Sequence, residues 1–306
     1  MSPIPETYLP QDGKLFTISM GLRALDISKW LEVDEAYGAD IARKRTLLET
    51  NRDQVFQAVD AGFASSVETL AMIESHWQQF SPSSSHASLS FHQHDATQGD
   101  QEHPLVIASL QVQEDLCVMT KIDDQWVLTA AVVCFPSRWD LTTKIGTNLH
   151  DIHAPVPHYE ERIGSATDVM FDKFTADRPV WRINWTILDS PDLYQPASSH
   201  SSEAIQASDT SDAGQISSQE KLANLSSFAE STFLRIERQT LRVLPKSGDV
   251  LFTIRTYVDS LANVAKNYPD FREKLSATLA GVSDETKRYK GWESMWQAMN
   301  DWSSPT

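Results

Sequence analysis

Two strand-like segments in the last third of the chain carry ionisable side chains that could bind a charged ligand. They read TFLRIERQT (232–240) and DVLFTIRTYV (249–258). Arg offers a planar fork for a carboxylate, Glu can hold an ammonium group, and Tyr can donate a hydrogen bond. Charges inside strands cost free energy unless they face water, pair or bind something. The segments therefore form either a solvated sheet face with cross-strand ion pairs or a pocket over the sheet.

The alternation of side chains along a strand separates the charges into two sets. Glu237 and Arg238 point to opposite faces of the first strand, and Arg255 and Tyr257 share one face of the second. The linker RVLPKSG is short, which predicts that the two strands pair as antiparallel neighbours. We expect Glu237 to lie nearly opposite Arg255.

A second unusual stretch, HDIHAPVPHYEER (150–162), combines histidines with prolines. His150 and His153 are three residues apart and would share one face of a helix, while the prolines stiffen the backbone that follows. One reading is a rigid segment that gives one or two histidines to a metal. The other is a loop whose histidines bond backbone carbonyls. The zinc motif H-E-x-x-H is absent.

The remaining pattern predicts the elements that position these residues. Apolar spacing of three and four predicts helices over residues 37–75 and from Leu261 onward. Strands are expected at LCVMT and QWVLTAAVVCFP, joined by a turn at KIDD, and at VWRINWTILD. The polar stretches 81–104 and 195–219 read as variable loops. This order predicts a single α+β domain, 1–306, with one antiparallel sheet flanked by N- and C-terminal helices.

Composition excludes several classes of protein. The formal net charge of −16 argues against nucleic acid or an anionic membrane as a partner. No signal peptide or membrane-spanning stretch is expected, so we predict a cytoplasmic protein. The phosphate-binding motifs G-x-G-x-x-G and G-x-x-x-x-G-K-[ST] are absent. The two cysteines, Cys117 and Cys134, are too few to hold an iron–sulfur cluster by thiolates alone.

Five segments, taken in order, resemble one family of proteins. The segments are CFPSRW (134–139), KIG followed by IHAPVP (144–157), RPVWRINWTILD (178–189), FLRIERQTLRVLP (233–245) and LFTIRTYV (251–258). Together they are similar to the haem-binding α subunit of the haem-dependent oxidative N-demethylases. The resemblance covers roughly residues 10 to 300, and the motifs are too long to match by chance.

The resemblance implies a fold, a cofactor and a reaction. The fold would be a PAS-like antiparallel sheet with helices packed around it, carrying a non-covalent b-type haem held by a histidine. The reaction would be oxidative demethylation of a small methylated amine such as dimethylamine, with O₂ as the oxidant and formaldehyde as a product. Electrons would come from NADPH through a separate reductase subunit with FMN and an iron–sulfur cluster. Tetrahydrofolate would be a further partner, as the acceptor of formaldehyde.

The resemblance also suggests roles for particular residues. His153, inside IHAPVP, would be the axial ligand of the iron, with His150 as the alternative. Glu237 would hold the ammonium group of the substrate, and Tyr257 would donate a hydrogen bond nearby. The propionate groups of haem need cations, and the expected residues are Arg138, Arg238 and Arg255.

Two other readings remain open from the sequence. A haem-binding PAS-type domain can act as a gas or redox sensor without turning over a substrate. A haem-free binding protein of the same fold is the third reading. The tryptophans expected to wall a pocket, Trp139, Trp181 and Trp185, are equally suited to an ordinary core.

Overall fold

One antiparallel sheet organises the computed structural model, which describes residues 3–10, 21–80, 102–156, 165–197 and 218–304. Within those ranges the sheet has seven strands in the order β1-β5-β6-β7-β3-β4-β2. Their bounds are β1 Arg23–Ala24, β2 Phe56–Ala58, β3 Asp115–Ile122, β4 Gln125–Val132, β5 Val180–Leu188, β6 Phe233–Val243 and β7 Val250–Ser260. The predicted α+β class with one antiparallel sheet is confirmed.

Helices precede, interrupt and follow the strands. Those before β3 are α1 Tyr37–Thr50, α2 Arg52–Val55, α3 Phe63–Phe80 and α4 Pro104–Ser109. Those between β4 and β6 are α5 Leu149–His153, α6 Ser165–Phe171 and α7 Ser218–Ser231. Those after β7 are α8 Leu261–Asn267, α9 Phe271–Leu279, α10 Asp284–Lys290 and α11 Trp296–Ser303. In the described residues no helix has the length and apolar character needed to cross a membrane.

Both predicted hairpins are confirmed. Asp123 and Asp124 take the left-handed conformation, with φ of 48° and 63°, in the tight turn between β3 and β4. Aspartate tolerates that conformation because its short side chain bonds locally, and two such residues give the turn whose twist matches paired strands. Strands β6 and β7 pair along their whole length, from Phe233 opposite Ser260 to Val243 opposite Val250.

The sheet has two faces with different coverings. One face, which we call the Glu237 face, carries Arg182, Asn184, Arg235, Glu237 and Thr256. These residues share it because they lie opposite one another on neighbouring strands or two residues apart on the same strand. Part of this face is covered by α5 and α6 over an apolar cluster. That cluster includes Cys117, Leu128, Leu149, Phe171 and Leu241.

The opposite face, which we call the Tyr257 face, carries the larger part of the core. It includes Ile183, Ile236, Arg238, Arg255 and Tyr257. The C-terminal helices pack on one half of this face through buried side chains that include Phe271, Leu275 and Trp292. Helices α1, α3 and α4 pack on the other half, around side chains that include Trp30, Ile73 and Leu105.

The N-terminal helical region differs from its prediction. A continuous helical region over 37–75 was expected, but α1 ends at Thr50 and Phe56–Ala58 forms an edge strand on β4. Residues Phe56–Ala58 form ladder hydrogen bonds with β4. The local helical pattern could not predict them, because they depend on a distant strand.

The two predicted loops mostly lie outside the described residues. In the first, 81–104, His103 instead caps α4, since its Nδ1 accepts the Leu105 amide at 3.3 Å and Pro104 begins the helix. In the second, 195–219, the last two residues begin α7.

Candidate functional site

Glu237 lies in the middle of β6, paired with Asn184 on one side and Thr256 on the other. Its carboxylate accepts hydrogen bonds from Asn184 Nδ2 and Gln239 Nε2, each at 3.1 Å. Arg235 Nε lies 3.4 Å from Oε1. The Glu237 side chain is 12% exposed. The carboxylate is therefore held by three donors but still reaches the surface. A carboxylate held in this way is prepared to bind a cation.

Arg235 is the buried support of Glu237. Its side chain is fully buried, and Nη1 donates to the carbonyl of Leu193 at 3.0 Å. Nη2 donates to the carbonyl of Phe135 at 2.5 Å. Burial lowers the pKa of Arg235, and the charge of Glu237 opposes that change. Because a guanidinium stays protonated far above neutral pH, the group remains a cation in a fixed position.

Two further cations approach Glu237. Arg182 sits in β5 on the same face, and its buried Nε has no hydrogen-bond partner among the described residues. Burial lowers the pKa of Arg182, and Glu237 opposes that change. Lys290, the last residue of α10, donates to the carbonyl of Trp185 at 3.0 Å. Burial lowers its pKa to about 8, again against the charge of Glu237.

Arg138 joins this group from the segment after β4. Its Nη1 donates to the carbonyl of Lys290 at 3.0 Å, and its amide donates to the carbonyl of Gln195 at 2.7 Å. The backbone of Arg138 is left-handed, with φ of 54°. Its Nε is also buried without a hydrogen-bond partner among the described residues. A buried donor without a partner on the protein can be satisfied by a ligand acceptor or by water.

His153 ends α5, the short helix that packs on the Glu237 face. Asn148 caps the helix, its Oδ1 accepting the Asp151 amide at 2.9 Å, and Leu149 buries the helix in the apolar cluster. The Nδ1 of His153 lies 2.8 Å from the carbonyl of Leu149. A carbonyl can only accept, so this bond requires a proton on Nδ1, which is the arrangement of a histidine that binds a metal through Nε2. His150, on the same helix, is exposed.

The charges and walls of this face suit a haem group. The three cations Arg182, Arg235 and Lys290 act on the single carboxylate of Glu237, and Arg138 adjoins them through the carbonyl of Lys290. A haem carries two propionates, which need such cations. Half-buried apolar side chains border the same face: Trp139, Ile152, Phe174, Val180 and Phe252. The residues present therefore fit the group.

Three residues predicted for the site lie on the other face of the sheet. Tyr257 donates to Glu32 at 2.7 Å, and Arg238 Nε lies 3.5 Å from the same carboxylate. Arg255 lies 2.5 Å from Asp34. All three are buried under the N-terminal segment, so the structure does not bring Arg238, Arg255 or Tyr257 together with Glu237.

The predicted opposition of Glu237 and Arg255 is wrong. Glu237 lies opposite Thr256, and Arg255 lies opposite Arg238. The difference is one residue of register, which moves every side chain to the other face of the sheet.

Three residues of this face were missed by the sequence analysis. Arg235 had a usable signal, since it is two residues before Glu237 in one strand and must share its face. Arg182 had a weaker one, from the alternation of β5. Lys290 had none, because only the packing of α10 brings it to the sheet.

Comparison with known protein families shows which family the chain belongs to. A family model described as haem-dependent oxidative N-demethylase, alpha subunit-like, matches residues 21–300. The chain belongs to this family. The suspected resemblance is thereby confirmed, and the matched range contains every residue of the Glu237 face discussed above. Membership indicates a haem-dependent, oxidative N-demethylase-type enzyme.

Proposed function

We propose that this protein is the haem-binding, oxygen-using component of an oxidative N-demethylase that acts on a small methylated amine such as dimethylamine. The observation that carries the proposal is Glu237, a fixed carboxylate on a face that is otherwise cationic and bordered by apolar side chains. Family membership supports the reaction class, and this arrangement supports a cofactor and substrate site on the Glu237 face.

The cofactor would be a non-covalent haem b on the Glu237 face. His153 would give Nε2 to the iron, since the bond to Leu149 engages Nδ1 and orients the ring. Arg182, Arg138 and Lys290 would bind the propionates. When bound, the haem would supply the activation of O₂ and the oxidation of the N-methyl carbon. Arg238 and Arg255 would serve the site indirectly, by holding β6 and β7 against the N-terminal segment.

The substrate would be held by Glu237. A methylated amine is an ammonium ion at neutral pH, and a carboxylate partner binds it with a charge-assisted hydrogen bond. Asn184, Gln239 and Arg235 fix both oxygens, so Glu237 presents one geometry to the amine. Glu237 would also take the ammonium proton, because the nitrogen lone pair has to be released before the methyl group is oxidised.

The overall reaction would be (CH₃)₂NH + O₂ + 2 e⁻ + 2 H⁺ → CH₃NH₂ + HCHO + H₂O. The electrons would come from NADPH through a separate reductase subunit that carries FMN and an iron–sulfur cluster. The cytoplasm, where NADPH is abundant, would be its location, and tetrahydrofolate would take up the formaldehyde. The sheet would be the PAS-like scaffold expected of such a protein.

The proposal is tested by turnover of the haem-loaded protein. Dimethylamine is supplied in air with NADPH and a flavin–iron–sulfur reductase, and methylamine and formaldehyde are measured. Equal amounts of the two products are expected. Reversible binding of O₂ or CO by haem-loaded protein, with amine bound and no formaldehyde formed, would contradict the proposal and favour a sensor.

A further inference from the structure

A buried ion pair lies at the start of β3, close enough to Arg235 for its negative charge to act on that guanidinium. Lys44 of α1 and Asp115, the first residue of β3, both have fully buried side chains, with Nζ and Oδ1 3.6 Å apart. Lys44 also donates to the carbonyls of Ser109 and Glu114, at 3.4 and 2.5 Å. A buried pair of charges is seldom worth more to stability than apolar residues of the same volume, so stability alone does not account for this pair.

Asp115 holds the backbone that supports Arg235. Its two carboxylate oxygens accept the amides of Cys134 and Phe135, at 2.9 and 2.8 Å. The carbonyl of the same Phe135 accepts Nη2 of Arg235. A shift of the Asp115 carboxylate therefore moves Phe135, and with it one of the two carbonyls that hold the buried guanidinium.

Charges of alternating sign run from the core to the surface along this path. Lys44 is positive, Asp115 negative, Arg235 positive and Glu237 negative. Asp115 also acts on Arg235 through space, since its charge opposes the lowering of the arginine pKa by burial. Burial raises the pKa of Asp115 itself, and Lys44 with the two amides opposes that rise.

We infer that Lys44 and Asp115 are positioning residues for Glu237, the carboxylate that would bind the substrate amine. They fix Phe135 and Arg235, and so determine the position of the Glu237 side chain. The importance of the pair for catalysis rests on the function proposed above. The coupling itself is a property of the fold and does not depend on turnover.

The coupling is measured by NMR of the arginine side chain. The Nε–Hε signal of Arg235 is assigned by its loss in Arg235→Lys, and then followed in Asp115→Asn. We expect the signal to shift or broaden, because the Asn side chain lacks the charge and cannot accept both amides. The control is Asp249→Asn, which removes a second buried carboxylate, one bonded to Ser65 and Thr120 and not to the arginine path. The Arg235 signal should stay in place in the control, and an unmoved signal in Asp115→Asn would overturn the inference.

A second measurement runs in the opposite direction and uses a milder change. Glu237→Gln alters a partly exposed side chain, so folding is expected to survive. The amide protons of Cys134 and Phe135 should then move, because their acceptor is coupled to Glu237 through Arg235. Amides that keep their positions would contradict the coupling even if Asp115→Asn does not fold.

Catalysis provides the last readout. In Asp115→Asn with normal haem content, kcat/KM for the amine should fall roughly tenfold, as a displaced catalytic group requires, and its pH profile should shift. Absence of turnover in the unaltered protein would reject the proposed function, while the NMR result would still decide the coupling. An unchanged kcat/KM and pH profile in an active, folded Asp115→Asn would show that the pair does not position the carboxylate.

Discussion

Glu237 and Tyr257 lie on opposite faces of the sheet, although neighbouring strands carry them. The phenol of Tyr257 donates to Glu32 beneath the N-terminal segment, whereas the carboxylate of Glu237 accepts from Asn184 and Gln239 near the surface. The two side chains therefore belong to different structures: one to a buried network, the other to the candidate site.

Replacing Glu237 with Gln should abolish amine turnover without loss of haem. The amide keeps the shape of the side chain but removes the charge that holds the ammonium group. Loss of one partner of a close charge pair predicts a decrease of roughly 100-fold or more in kcat/KM. Formaldehyde production and the haem absorbance are measured on the same sample. An unchanged rate would remove Glu237 from the site.

Replacing Tyr257 with Phe should weaken the fold and spare the site. Glu32 would lose a buried donor, which predicts a loss of about 1–2 kcal/mol in the free energy of unfolding. Urea unfolding measures the loss, and haem binding and kcat/KM are expected to remain near those of the unaltered protein. A large decrease in turnover at unchanged stability would instead show that Tyr257 acts in catalysis.

Two glycines with positive φ test the position of Arg138. Gly291 and Gly146 have φ of 67° and 75°, so alanine at either position costs about 1 kcal/mol of backbone strain. At Gly291 the added Cβ would also come within 1.8 Å of Arg138 Nη1, whereas at Gly146 it meets nothing within 4 Å.

Gly291→Ala should therefore displace the guanidinium and lower haem affinity, and Gly146→Ala should lower stability alone. Haem titration of both variants makes the comparison. Equal haem affinities would show that Arg138 does not contact the cofactor.

Lys290 predicts a pH dependence of haem binding. Burial lowers its pKa to about 8, so the free protein loses this positive charge as the pH rises through 8. The protonated amine attracts a propionate, and bound haem in turn raises the amine pKa. Haem affinity should be constant below pH 7 and decrease above pH 8, until the pKa of the haem-bound state is reached.

Lys290→Met should bind haem more weakly and without this pH dependence. Lys290→Arg should bind haem tightly and keep its affinity across the same range, because its guanidinium stays charged. A pH dependence that persists in Lys290→Met would assign it to another group.

The local patterns in the sequence predicted much of the fold. The alternation of VWRINWTILD and the aspartates of KIDD were enough to place β5 and the β3–β4 turn, because backbone preference and burial agree there. The pairing of β6 with β7 also followed from their short linker. The edge strand Phe56–Ala58 did not, because it exists only through its ladder with β4.

The candidate site was predictable only in part. Glu237 and His153 stand inside motifs, and Arg235 shares the face of Glu237 by alternation alone. The predicted contact of Arg255 with Glu237 failed because the observed pairing of β6 with β7 differs by one residue from the expected pairing. The local sequence of the two strands does not determine that register. Lys290 reaches the site only through the packing of a distant helix.

The most direct test of a haem centre on the Glu237 face is the haem absorption spectrum of two matched variants. His153→Ala and His150→Ala change histidines three residues apart on one short helix, and His153 is the one whose Nδ1 lies 2.8 Å from the carbonyl of Leu149. In His153→Ala we predict loss of the Soret band after gel filtration, while His150→Ala and the unaltered protein retain a band that shifts when dimethylamine is added. Full retention of an unaltered band in His153→Ala, or no haem uptake by the unaltered protein, would contradict a haem held by His153 on this face.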